Sequence, residues 1–114
     1  MIEPSPACQA LAQSYTTGDG RTAFRVTGLT ITPHPDRSHT LTYRLAVSDN
    51  GLEGEQWEFT LLWDDKAFAD VFDAPAPDPE RLRLLVHLVR ALLEEWWDTK
   101  GHDRGSAKMG RRVG

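Results

Sequence analysis

Apolar residues recur with a period of two along two stretches of the chain and with a helical period along another, and these periods set the fold class. Leu41, Tyr43, Leu45 and Val47 alternate with Thr40, Thr42, Arg44 and Ala46; Trp57, Phe59, Leu61 and Trp63 alternate with Gln56, Glu58, Thr60 and Leu62. Successive strand side chains point to opposite faces, so both runs read as half-buried strands. Between them, Asp49-Asn50-Gly51 and Gly54 tolerate positive φ, which predicts a hairpin. Over residues 23–32 the alternation changes phase: Phe24 and Val26 share one parity, Leu29 and Ile31 the other. A β-bulge at Gly28 adds one residue and returns all four to one face. The following Pro33-His34-Pro35-Asp36-Arg37-Ser38 reads as a loop.

Three segments carry helix signals. Ser5-Pro6 supplies an N-cap and a first-turn proline for a short helix through Ala7, Cys8, Ala10, Leu11 and Ala12, stopped by Gly18 and Gly20. After Asp64-Asp65, whose charges suit a helix N-terminus, Ala67, Phe68, Val71 and Phe72 fall three and four apart until Ala74-Pro75-Ala76-Pro77 breaks the turn. Asp78-Pro79 opens a long helix that runs to Asp98 or Thr99, with Gly101 just beyond. At 1.5 Å per residue it is about 30 Å long, enough to lie along an eight-residue strand of about 27 Å.

The long helix is apolar over an unusually wide arc. Leu82, Leu85, Val86, Val89, Leu92, Leu93 and Trp96 form a stripe about 120° wide, which suits one sheet face. Leu84 and Leu88 lie on one flank and Trp97 on the other, leaving Arg83, His87, Arg90, Glu94 and Asp98 on a narrow polar side. Two coverings are open: the N-terminal helix with the Phe68/Phe72 turn, or a partner. Under the second, Leu84, Leu88, Trp97 and Trp96 form the docking surface, with Trp97 as its anchor because Trp is enriched at binding hot spots. The polar sheet face, with Arg25, Thr27, Thr40, Thr42, Arg44, Gln56, Glu58 and Thr60, lacks aromatics, and the sheet edges offer unpaired backbone to an incoming strand.

At 114 residues the chain suits one domain with one core. The lone Cys8 excludes an internal disulfide, and no Cys/His spacing matches a structural zinc site. The acidic start and the absence of a long apolar run predict a cytoplasmic chain without a membrane span. Residues 1–99 carry a net charge of −8, whereas 100–114 carry +4 through Lys100, Arg104, Lys108, Arg111 and Arg112. With four glycines and only Ala107, Met109 and Val113 as apolar residues after position 100, this basic tail is expected to be disordered when free.

Candidate chemistry is thin. His34, Asp36 and His39 lie together in a Pro-rich loop but match no established ligand pattern, and there is no phosphate loop, nucleophile elbow or HExxH. The order helix, three strands, helix resembles that of double-stranded-RNA-binding domains. Where those domains place basic residues at the start of the second helix, this chain has Asp73, Asp78 and Glu80, reversing the contact to phosphate.

The sequence therefore predicts an α+β domain over residues 1–99: a three-stranded antiparallel meander with one long C-terminal helix on one face and a short N-terminal helix. The expected function is a non-enzymatic protein-interaction module, without metal or cofactor, binding another protein or a second copy through the helix flanks or a sheet edge. Nucleic-acid association through the basic tail is the alternative, and an enzyme of unrecognised type the third reading.

Overall fold

The computed structural model describes residues 5–49, 52–99 and 108–113. Helix α1, Pro6–Leu11, is capped by the Ser5 side chain, which accepts from the Cys8 N–H at 3.2 Å. Strand β1, Tyr15–Thr16, turns back through Gly20, at φ 71°, into β2, Thr22–Pro33. Strands β3, His39–Asp49, and β4, Leu52–Trp63, pair as antiparallel neighbours, as the hairpin reading requires; the central turn residues Asn50 and Gly51 lie outside the described residues.

The register of β2 on β3 shifts between Val26 and Gly28, so Val26 faces Leu45 and Leu29 faces Tyr43. Thr27 is the extra residue, and the bulge returns Phe24, Val26, Leu29 and Ile31 to the face that carries Leu41, Tyr43 and Leu45. After β4, the Asp65 side chain caps a short 3-10 turn, Lys66–Phe68, by accepting from the Ala67 N–H at 3.0 Å. Helix α2, Ala69–Asp73, continues that turn, and α3, Pro79–Thr99, crosses the sheet.

Two features differ from the sequence expectation. Among the described residues the sheet has five strands, in order β1-β2-β3-β4-β5, rather than three. The fifth, β5, Lys108–Arg112, comes from the tail expected to be disordered and pairs antiparallel with β4, Trp57 opposite Arg112 and Leu61 opposite Lys108. The apolar count of this segment is low, but a β ladder satisfies backbone N–H and C=O groups whatever the side chains are. Strand β1 was hidden for a related reason. It is two residues long, and its anchor is tertiary: Tyr15 stacks on Phe24 at 5.2 Å, and the Arg90 guanidinium lies 4.5 Å from its ring centroid.

The core lies between the sheet and α3, with α1 and α2 closing its ends: Ala7, Leu11, Phe68, Val71 and Phe72 share one buried cluster with Leu85, Val89 and Leu93. A buried hydroxyl ties α1 down, since Tyr43 donates to the Leu11 carbonyl at 3.1 Å, and burial pushes that phenol above its ordinary pKa and keeps the donor proton in place. Tyr43→Phe leaves the Leu11 carbonyl without this donor and is expected to cost about 1–2 kcal/mol in urea unfolding. An unchanged midpoint would mean that the bond adds nothing.

Candidate functional site

The helix flanks predicted to bind a partner meet different fates. Trp97 is 5% exposed, edge-on to Phe24 at 6.2 Å and to Trp57 at 6.0 Å. Trp96 is also buried, stacked on Phe59 at 4.8 Å. Both are core residues, so the proposed exposed anchor is not at the surface. The helical wheel places Trp97 on a flank, but Phe24 and Trp57, brought in by β2 and β4, reach around that side. The other flank stays open: Leu84 is 48% exposed, and Leu88 is only partly buried.

Leu84, Leu88 and Leu92 fall on one i, i+4 row of α3. Leu88 and Leu92 wall a groove of about 260 Å³, closed on the other side by Leu61, Leu62 and Trp63 and reaching Asp64 and Asp65 at one end. Leu62, 40% exposed, extends the apolar surface. Among the described residues the pairing of β4 with β5 ends at Leu61 opposite Lys108, and the groove lies beside the following residues Leu62 and Trp63. Sequence reasoning missed Leu62, although it is the one large apolar residue at the polar parity of the alternating run 56–63. A leucine among Gln56, Glu58 and Thr60 is the signal that points to it.

The acidic end of this groove is asymmetric. The Asp65 carboxylate is committed to its cap, whereas Asp64 is exposed beside it. Together they favour a cationic neighbour for an apolar ligand.

The remaining candidates do not converge. His34 Nε2 shares a 2.6 Å hydrogen bond with the Thr40 hydroxyl, and Asp36 accepts from the Ser38 hydroxyl at 2.6 Å and from its N–H at 3.0 Å. The Ser38 hydroxyl holds the Asp36 carboxyl below the usual carboxylate range. His39 turns inward, stacks on Phe72 at 4.4 Å and meets Asp73 at 3.1 Å. Among the described residues no group of three His, Cys, Asp or Glu side chains is placed to hold a metal ion.

A larger cleft, about 580 Å³, lies where the β1–β2 turn meets the end of α3, with Asp19, Glu94 and Asp98 on its walls. Asp19 is spent on the turn: it accepts from the Thr17 hydroxyl at 2.6 Å and from the Arg21 N–H at 3.0 Å, bonds that lower its pKa.

Of the basic tail, Arg111 pairs with Glu58 at 3.3 Å and Arg112 with Glu55 at 3.6 Å. Glu58 also meets Arg44 at 2.9 Å, so a cation-anion-cation ladder crosses three strands on the polar face. Two of the five tail cations thus lie against the protein's own carboxylates. Lys100 and Arg104 lie outside the described residues, and Lys108 is placed only by its backbone pairing. No helix among the described residues is long and apolar enough to cross a membrane. No family model, curated protein or solved structure matches this chain, so its functional reading rests on its own residues.

Proposed function

We propose that this chain is a non-enzymatic protein-interaction module of the cytoplasm that takes a leucine-bearing, basic segment of another protein into the groove between the end of β4 and α3. The observation that carries this reading is the leucine row of α3: Leu88 and Leu92 wall the groove opposite Leu61 and Trp63, Leu84 continues that row beyond it half exposed, and Leu62 lies at the groove's rim. A leucine left 40–48% exposed forgoes about 1 kcal/mol of burial, so Leu62 and Leu84 beside one groove favour a covering ligand. The acidic end at Asp64 and Asp65 and the net charge of −8 over residues 1–99 select a basic ligand over an acidic one.

The test uses a fluorescent peptide of alternating leucine and lysine, with a serine-lysine peptide as control. Binding to the full chain is expected for the first peptide only, and Leu84→Asp or Leu62→Asp is expected to weaken it at least tenfold. Because both side chains are only partly buried, each substitution is expected to cost about 1 kcal/mol of folding stability, well below a core leucine, and to leave a cooperative melt. Binding that ignores both substitutions, or that the serine peptide reproduces, removes the groove from consideration.

A further inference from the structure

Strand β5 is held like a bound ligand. Of its residues with described side chains, Gly110 is half-buried and Arg111 and Arg112 are exposed, as is Val113 just after it, so this stretch adds nothing fully buried to the core. What holds it is the ladder from Leu61 to Trp57, the Val113 N–H donating to the Gln56 carbonyl at 2.8 Å, and the ion pairs of Arg111 and Arg112. Exposed ion pairs contribute little, about 0–1 kcal/mol each, and backbone bonds are available to any strand.

One contact is specific. Gly110 sits opposite Phe59, whose ring carries the Trp96 indole stacked at 4.8 Å and 18°. A Cβ at position 110 would overlap the atoms of that indole, and Trp96 is buried among Phe59, Trp57 and Trp97 and has no room to withdraw. The β4 edge therefore reads three things in an extended segment: a glycine under Trp96, a cation one residue later facing Glu58 on the polar side, and a second cation facing Glu55.

We infer that the β4 edge is a strand-docking site for an extended peptide of another protein in which glycine is followed by two basic residues, and that β5 is its built-in competitor. Strand addition draws affinity from main-chain hydrogen bonds and specificity from alternate side-chain positions, which is the division seen here. A tethered strand acts at an effective concentration of about millimolar, so a partner strand gains access when β5 is released or outcompeted. The inference shares with the groove only the premise that the chain binds segments of other proteins. Leu62 and Leu84 are not among the described pairs of the β4–β5 ladder, so either site can fail without the other.

The probe is a labelled peptide with the sequence of residues 107–113, Ala-Lys-Met-Gly-Arg-Arg-Val, titrated by fluorescence anisotropy into the full chain. Gly110→Val in the protein vacates the edge, and this variant is expected to bind the peptide at least tenfold more tightly than wild type. A peptide with valine in place of its glycine, or glutamate in place of both arginines, is expected to bind the variant at least tenfold more weakly. In case Gly110→Val fails to give a cooperative melt, the Arg111→Glu/Arg112→Glu chain serves the same comparison, because it sets like charges against Glu58 and Glu55 while altering only exposed side chains. If a folded variant binds the peptide no better than wild type, or accepts the valine peptide equally well, the inference is overturned.

Discussion

Trp96→Ala is expected to be among the most damaging single substitutions in this chain, lowering stability by about 3–5 kcal/mol, which is much of the total of about 5–15 kcal/mol typical for such a domain. The indole is 3% exposed, stacks on Phe59 and meets Trp57 edge-on at 5.4 Å and Trp97 at 6.0 Å. Truncation removes one ring from a four-ring cluster that the neighbouring indoles are too rigid to refill. Urea unfolding at 25 °C reads the loss directly. Hydrogen exchange should show a second consequence: with the shelf under Gly110 gone, amides of β5 exchange faster relative to those of β3. A loss below about 1 kcal/mol would be too small for a buried tryptophan and would contradict this packing. Trp97→Ala is expected to fall in the same range. The two changes should not add, because contacting residues share the energy that either one removes.

Phe72→Ala is expected to cost about 3 kcal/mol, at the lower end for a buried phenylalanine. Its ring, 2% exposed, stacks on His39 and meets Trp63 edge-on at 6.3 Å. Loss of this packing is partly offset for a specific reason. His39 Nδ1 and Trp63 Nε1 are buried with no hydrogen-bond partner among the described residues, and each such group carries a penalty of about 1–3 kcal/mol. The ring packs on both side chains, so its removal is expected to let water reach these nitrogens. Phe72→Leu, which keeps the seal with less volume lost, should cost less than Phe72→Ala. A Phe72→Ala loss well above about 3 kcal/mol, and far above that of Phe72→Leu, would show that the offset is absent.

Much of the local design was written plainly in the chain. Ser5, Asp65 and Asp78 cap the segments their positions announce, the last by accepting from the Glu80 N–H at 3.2 Å. The phase change between Val26 and Leu29 located the bulge to within two residues. The candidate site was half legible. Leu84 and Leu88 stand out because a helical wheel is a local construction, whereas Leu62 gains meaning only from the groove that the fold places beside it. Trp97 was misjudged because a wheel shows direction and not what stands opposite.

By itself the sequence determined the α+β class, the antiparallel hairpin of β3 and β4 and the extent of α3, since these follow from side-chain period and capping within a few residues of each position. Only the tertiary structure decided the number of strands, the burial of Trp96 and Trp97 and the place of the open groove. Edge pairing is made by backbone groups that every residue carries, and the cover of a helix flank comes from residues far away in the chain. Neither leaves a periodic trace where it acts.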